Sequence, residues 1–212
     1  MPAIEVHKKN LTVKKGEQVL IEGEALKGIY FVYSGVLKIH KKWDSEKELI
    51  IRFAKRGDMV GYLGLGKNPY YPVTATAIEN TTLCFIDISF FESTLKVNPE
   101  LTYNMLMFFA EELQESEKRM RNLAHMPVKG RVAQALISLK EQFGLDAEGY
   151  INIDLNRQDI ASFTGATYET LFRVLNDLLK DDLIVVNGKR FLLKNEVALT
   201  KLTEEDSAAT VQ

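Results

Sequence analysis

The chain has very little cysteine: Cys84 is the single one among its 212 residues. One cysteine excludes an intrachain disulfide, and by itself it cannot supply the ligands of a zinc or iron–sulfur site. Because Cys84 lies within the apolar run of residues 82–86, we interpret it as a buried core thiol rather than a reactive one. The cysteine count therefore excludes an iron–sulfur cluster as a cofactor.

Long hydrophobic runs and catalytic signatures are also missing. No apolar stretch approaches the roughly 20 residues that a membrane-spanning helix needs, and residues 1–7 lack the features of a signal peptide. We therefore expect a cytoplasmic protein without membrane contact. The glycine-rich segment 61–66 lacks the full spacing of a dinucleotide-binding loop. With no paired nucleophile and base and no metal-ligand spacing, we expect neither an enzyme nor a metal site.

An excess of positive charge is absent. The formal net charge is −2, and from residue 127 onward ten Lys and Arg stand against thirteen Asp and Glu. A nucleic-acid-binding protein usually presents a basic surface. Any basic footprint in this chain must therefore be local.

The first hundred residues contain a β pattern. Short apolar runs alternate with glycine-containing turns, which is typical of a β-sandwich or barrel. These runs are residues 18–22, 29–33, 36–40, 48–53, 73–78 and 82–87. With 46% hydrophobic residues overall, the chain can build two modest domains with proper cores.

A long amphipathic helix follows. Asn98 and Pro99 predict its start, and it can run to about Met126, roughly 43 Å at 1.5 Å per residue. A seam with 3-4-3-4-3 spacing lies along it, with one polar layer: Leu106, Phe109, Leu113, Ser116, Met120 and Leu123. The seam could pack on the helix's own barrel. Because it continues past the length that a small barrel covers, we favour a parallel two-fold dimer.

Residues 155–184 predict two short helices separated by a glycine turn. Asn156 is a good N-cap for the first helix, which ends at Gly165, and Thr167 can cap the second. The second helix has one buried and one exposed face. The buried face holds Leu171, Val174, Leu175, Leu178 and Leu179, and the exposed face holds Tyr168, Glu169, Phe172 and Arg173. The pattern indicates a helix-turn-helix, preceded by a covering helix at 130–140.

Glu169 and Arg173 lie one turn apart and allow two interpretations. They could form a surface salt bridge worth about 0.3–0.5 kcal/mol. Alternatively they read bases, the carboxylate accepting from a cytosine amino group and the guanidinium binding guanine.

A β-hairpin is predicted over residues 183–193, behind the second helix. Asn187 and Gly188 predict a type I′ turn. Lys189 and Arg190 at the tip of this wing could contact a phosphate backbone.

The order of these parts resembles the Crp/Fnr family of bacterial transcription regulators over nearly the whole chain. The motifs that carry the resemblance are residues 15–17 with 22–24, 29–39, 57–58 with 61–65, 97–100, and 157–161 with 169–173. The resemblance implies an α+β fold. Its parts would be a jelly-roll-like antiparallel β-roll sensor at 1–97, a dimerisation helix at 98–126, a winged helix-turn-helix at 127–202 and a flexible tail at 203–212.

The resemblance also implies an effector pocket in the cyclic-nucleotide-binding-like β-roll. Its residues would be Gly61, Tyr62, Leu63, Tyr71, Pro72, Val73, Thr74, Ser116 and Glu117. Cyclic-AMP-binding members carry an acid where Tyr62 stands, and an arginine that pairs with the phosphate. No arginine lies between Arg56 and Arg119, so that charge-assisted pairing is missing. We expect an effector other than cyclic AMP, or no ligand, with Tyr62, Tyr70 and Tyr71 filling the pocket.

Heme is an open but unsupported alternative effector. It would need an axial ligand such as histidine. His7, His40 and His125 sit in no diagnostic pattern.

In the DNA reader, Glu169 and Arg173 match the family, whereas Tyr168 and Phe172 depart from it. We predict that the matching pair reads TGA-like half-sites of a palindrome in double-stranded DNA, and that the two aromatic side chains contact thymine methyls. RNA polymerase is a further expected partner of the homodimer if it is an activator. We assign DNA-backbone contacts to Arg157, Thr167, Thr170, Lys189 and Arg190.

An alternative is a cyclic-nucleotide-type signalling module that regulates a partner protein rather than DNA. The acidic C-terminal domain favours this alternative. The complete turn, recognition helix and wing argue against it.

Overall fold

The computed structural model describes residues 8–44 and 47–204. The chain divides into two compact units, the first ending at Leu113 and the second beginning at Gln114. His7 and most of the predicted tail lie outside the described residues. Within the described ranges, no helix combines the length and the apolar character that a membrane crossing requires.

The first unit contains two antiparallel sheets of four strands, ordered β1-β8-β3-β6 and β2-β7-β4-β5. Alternate residues of the strands face the core, so Tyr30 and Val32 pack in the same cluster as Leu37 and Ile39. The antiparallel β-domain is thus confirmed. The strands are β1 Lys8–Val13, β2 Gln18–Leu20, β3 Gly28–Ser34, β4 Leu37–Lys42, β5 Glu48–Ala54, β6 Met59–Val60, β7 Thr74–Ala77 and β8 Thr81–Asp87.

Two helices follow β8. Helix α1, Ile88–Val97, was not anticipated, and its N-cap is Asp87, whose carboxylate accepts from Ser89 N at 2.9 Å. Helix α2, Pro99–His125, begins where predicted and ends one residue earlier than expected. Asn98 Oδ1 accepts from Leu101 N at 3.0 Å at its start.

None of the 27 residues of α2 is buried. Leu106, Leu113 and Met120, one heptad apart, are 64%, 61% and 67% exposed. Phe109 instead packs against the core of its own unit, and Leu123 is half-buried. The other three seam residues, Phe109, Ser116 and Leu123, lie about 60° round the helix from Leu106, Leu113 and Met120. The exposed apolar stripe is therefore narrower than the predicted seam, and Phe109 does not belong to it.

The second unit combines helices with a two-stranded hairpin. Its core holds buried residues from every part of the predicted DNA reader, including Leu136, Ile160, Leu171 and Phe191. The winged helix-turn-helix, and with it the α+β fold class, is confirmed. The elements are α3 Val128–Phe143, α4 Arg157–Thr164, α5 Tyr168–Lys180, β9 Ile184–Asn187, β10 Arg190–Leu193 and α6 Glu196–Lys201.

Candidate DNA interface and effector site

The turn between α4 and α5 is built by local contacts that the sequence predicted. Asn156 Oδ1 accepts from Asp159 N at 2.7 Å at the start of α4. Gly165 ends that helix with φ 62° and ψ 35°, in the left-handed region that favours glycine. Thr167 Oγ1 accepts from Thr170 N at 3.2 Å and caps α5. These two hydrogen bonds and the left-handed glycine define where α4 begins and ends and where α5 begins.

Helix α5 buries one face and exposes the other. Leu171, Val174, Leu175 and Leu178 are buried, whereas Glu169 and Arg173 are exposed, as are Tyr168 and Phe172 at 45% and 49%. The assignment of Leu179 to the buried face was wrong, because it is 39% exposed. Its side chain lies about 100° round the helix from that of Leu178.

Glu169 and Arg173 do not pair with each other. Among the described residues no acid forms an ion pair with Arg173, whose guanidinium lies 3.4 Å from Thr170 Oγ1. The salt-bridge interpretation is therefore not realised. Both charged groups are presented to solvent on one face, one helical turn apart.

The wing has the predicted strands but a different turn. Asn187 pairs with Arg190 across the hairpin, so the two central residues are Gly188 and Lys189. Gly188 has φ 60°, whereas Asn187 and Lys189 do not have positive φ. Glycine at the first central position alone fits a type II′ turn rather than the predicted type I′ turn. This register places the exposed Lys189 at the tip.

Arg190 is engaged within its own unit. Its guanidinium forms ion pairs with Asp146 and with Glu148, the latter at 3.1 Å, and lies 4.3 Å from the ring centroid of Tyr150. The hydrogen bond from Arg190 lowers the pKa of the Asp146 carboxyl. Because Arg190 is engaged with two acids, a phosphate would have to displace them to reach it. Lys189 is therefore better placed than Arg190 to contact a phosphate.

Other acids of the second unit are also paired. Pairing with lysines leaves the net charge unchanged but neutralises these acids locally. Arg157 at the start of α4 is half-buried. The acidic composition thus does not preclude a local basic footprint. The further pairs are Lys129 with Asp181 at 2.8 Å, Lys194 with Asp182 at 2.6 Å, and Lys140 with Glu196.

In the first unit, Tyr62, which the resemblance aligns with an acid of cyclic-AMP-binding members, is 2% exposed. Its hydroxyl donates to the Glu112 carboxylate, and its ring centroid lies 4.9 Å from that of Phe108 and 5.7 Å from that of Phe109. Burial raises the pKa of Tyr62 well above its ordinary value, against the opposing charge of Arg52. Tyr62 is therefore a neutral donor that joins residues 61–66, the cassette, to α2.

Tyr71 is also buried, at 1% exposure. Its hydroxyl donates to Gly28 O at 2.9 Å and accepts from the backbone nitrogens of Lys27 and Gly28, both at 3.2 Å. Every hydrogen-bonding position of this phenol is thus used by the protein itself. Tyr70, in contrast, is 54% exposed, so the expectation that it fills the pocket was wrong.

The remaining residues of the predicted effector pocket likewise divide into a buried and an exposed group. Val73 and Thr74 are buried, and Thr74 Oγ1 accepts from Glu22 N at 3.1 Å. Gly61 has φ 96°, and an added Cβ would lie 3.1 Å from Gly28 O. On the exposed side are Leu63 on the cassette and Ser116 and Glu117 on α2, while Pro72 is partly buried.

The described histidines do not favour heme. His40 is buried, with Nδ1 2.9 Å from Glu48 Oε2 and Nε2 2.8 Å from Thr76 Oγ1. Both ring nitrogens are thereby engaged, and an iron would need one of them. His125 is the exposed last residue of α2.

Sequence reasoning missed the contacts that join distant segments. The Tyr62–Glu112 hydrogen bond spans 50 residues, and no motif of the sequence singled out Glu112. Arg119 and Arg131 hold backbone carbonyls near the turn of the helix-turn-helix. The pattern that predicted the covering helix at 130–140 gave no sign of the contact made by Arg131.

Known proteins match both units. Residues 10–98 match the cyclic nucleotide-binding domain, and residues 130–202 match the Crp-like helix-turn-helix domain. The anaerobic regulatory protein of Bacillus subtilis is 30% identical over 87% of this chain and 79% of its own length. The cAMP-activated global transcriptional regulator CRP of Salmonella typhimurium is 28% identical over 81% of this chain and 83% of its own.

The fold has a close counterpart among solved structures. FixK2 from Bradyrhizobium japonicum superposes with a TM-score of 0.83 over 93% of this chain and 98% of its own, at 24% sequence identity. The two domain matches and the relative at 30% identity show that the chain belongs to the Crp/Fnr family of transcription regulators. It is a DNA-binding regulator of this type, which disfavours the alternative of a module that acts on proteins alone.

Proposed function

We propose that this protein is a homodimeric regulator that reads palindromic double-stranded DNA with TGA-like half-sites. The observation that carries the proposal is the exposed face of α5, where Glu169 and Arg173 lie one turn apart without an ion pair between them. A carboxylate and a guanidinium fork so placed can contact cytosine and guanine edges in the major groove. Tyr168 and Phe172 offer apolar contact to neighbouring thymine methyls.

The dimer is supported by α2. Leu106, Leu113 and Met120 form an exposed stripe with heptad spacing, which a second α2 could cover as a coiled coil. A two-fold axis would then set the two α5 helices to half-sites about one helical turn of DNA apart. Ser116, exposed on the same helix, is the proposed polar layer.

Backbone contacts would complete the interface. Lys189 at the wing tip, Arg157 at the start of α4, and Thr167 and Thr170 at the start of α5 are the proposed contacts. Such contacts position the protein without reading sequence. An activator of this kind would also contact RNA polymerase, and its location would be the bacterial cytoplasm.

The effector would differ from cyclic AMP, or control would need no ligand. In the cassette, the buried Tyr62 stands where the acid of cyclic-AMP-binding members would be. No arginine between residues 56 and 119 is present to pair with the phosphate. Binding of cyclic AMP by the purified protein in calorimetry would contradict this part.

Selection of binding sites from random DNA tests the core of the proposal. We expect an enriched inverted repeat with TGA and TCA arms, and binding that weakens as salt rises. Glu169→Ala should broaden the enriched motif. An enriched motif without the inverted repeat, or no enrichment at all, would overturn the assignment.

A further inference from the structure

A small cavity of about 80 Å³ lies within the second unit, between the end of α2 and helices α3 and α4. Its volume exceeds the roughly 10–15 Å³ that one water molecule needs, and it can hold a small polyatomic group. Three cations, Lys118, Arg119 and Arg131, and one acid, Glu115, line it, together with polar side chains that include Gln134 and Ser138. The lining is therefore net positive.

Two arginines on different helices reach the same turn of the helix-turn-helix. Arg119 of α2 donates to Phe163 O at 2.8 Å, and its guanidinium lies 4.5 Å from the centroid of the Phe163 ring. Arg131 of α3 donates to Leu123 O at 2.7 Å and to Gly165 O at 3.4 Å. The Arg131 Nε is buried and, among the described residues, has no hydrogen-bond partner. A donor in this condition is unusual in a folded protein.

The charged state of both arginines is poorly solvated. Burial lowers the pKa of Arg119 to about 10, and Glu115 only partly opposes this change. Burial also lowers the pKa of Arg131. Glu115 has a second partner, since its carboxylate lies 3.9 Å from Lys118 Nζ. An oxyanion in the cavity would replace the solvation that these guanidinium groups lose.

We propose that this cavity binds a small oxyanion, the phosphate or carboxylate group of a small molecule, through Arg131 and Arg119. Each guanidinium already donates to backbone carbonyls, so the anion would accept from their remaining N–H groups, and first from the Arg131 Nε–H. The bound group would contact the side chains that hold Phe163 O and Gly165 O, at the turn from which α5 projects. Binding itself is independent of the proposed DNA site, whereas any effect of binding on DNA affinity rests on that proposal.

The experiment is a titration of the full-length ¹⁵N-labelled protein followed by NMR. Sodium phosphate and sodium malonate are the probes, and sodium chloride at matched ionic strength controls for screening. We expect saturable shifts of the Arg131 Nε–H and Gly165 amide signals with at least one oxyanion and not with chloride. Response to phosphate alone or to malonate alone identifies the class of anion. Shifts that fail to saturate, or that chloride reproduces, overturn the proposal.

Variants then locate the site. Ser138→Met fills the cavity and leaves every charge in place, so we expect binding at least about tenfold weaker. Arg131→Gln should weaken binding similarly, and Ser138→Met still decides if Arg131→Gln does not fold. Arg121→Gln is the matched control, since this exposed arginine does not line the cavity and hydrogen-bonds its neighbour Asn122. Unchanged binding in Ser138→Met, or equal weakening in Arg121→Gln, would contradict the assignment.

Discussion

The side chains predicted to bind ligands differ between the two units in whether the protein itself satisfies their hydrogen bonds. In the β-roll, the hydroxyls of Tyr62 and Tyr71 are satisfied by Glu112 and by the backbone around Gly28. On α5, Glu169 and Arg173 face solvent without pairing. A group that is already hydrogen-bonded inside the protein gains little from a ligand, whereas an exposed and fixed group can gain specificity. The comparison indicates that the tyrosines stabilise the β-roll, and it supports the proposal that the α5 pair serves recognition.

The largest effect that could break this comparison is on stability. Tyr62→Ala should lower the free energy of unfolding by about 3–5 kcal/mol, because it removes a buried aromatic side chain and leaves a cavity. Tyr62→Phe removes only the hydrogen bond to Glu112 and should lower it by about 1–2 kcal/mol. Urea denaturation followed by circular dichroism measures both. If Tyr62→Ala were as stable as the parent, Tyr62 would line an open pocket instead.

The next effect is on DNA recognition. Arg173→Ala should weaken binding to the selected site by about 1–3 kcal/mol for each half-site and leave the melting temperature unchanged, because the side chain is exposed. Lys180→Ala, which removes an exposed cation at the far end of the same helix, is the matched control. Fluorescence anisotropy on selected and random DNA gives both affinities. An equal loss on both DNAs would show that Arg173 contacts phosphate rather than a base.

A smaller effect separates the two cations of the wing. Lys189→Ala should weaken binding to all sequences alike and reduce the slope of log affinity against log salt by about 1. Arg190→Ala should instead loosen the hairpin, because it removes the partner of Asp146 and Glu148. Salt titrations and amide hydrogen exchange of β9 and β10 distinguish the two variants. Equal salt slopes for the parent and Lys189→Ala would exclude a phosphate contact.

The smallest effect is on pH dependence. In the folded protein the pKa of Asp146 is lowered, chiefly by the hydrogen bond from Arg190. An aspartate in the unfolded chain has a pKa of about 3.9. The stabilisation is therefore complete above that unfolded value and is lost as pH falls through the lowered folded value. We expect the protection factors of the wing amides, which are corrected for the intrinsic exchange rate at each pH, to fall in this acid range. Asp146→Asn should remove that pH dependence, and an unchanged profile in this variant would assign it to another acid.

Local features of the site could be predicted from sequence. The caps at Asn156 and Thr167 and the left-handed Gly165 depend on residues three or four positions away, so their sequence neighbours determine them. The buried and exposed faces of α5 likewise follow helical periodicity, except at Leu179 on the border.

Features set by distant contacts could not be predicted. Pairing of Ile184 with Leu193 fixes the hairpin register, and this overrode the turn preference of Asn187 and Gly188. The engagement of Arg190 depends on Asp146, which lies 44 residues away. Phe109 is not part of the exposed stripe, because the core of the first unit packs against that side of α2.

The absence of buried residues in α2 has a consequence for regulation by abundance. No residue of this helix is fully buried within its own chain, so in the proposed dimer its exposed stripe of Leu106, Leu113 and Met120 would gain packing from a second copy. Folding and association are then linked by mass action, so the melting temperature rises with total protein. The number of molecules per cell would set the fraction that is assembled, and therefore how far the regulator responds to its own synthesis.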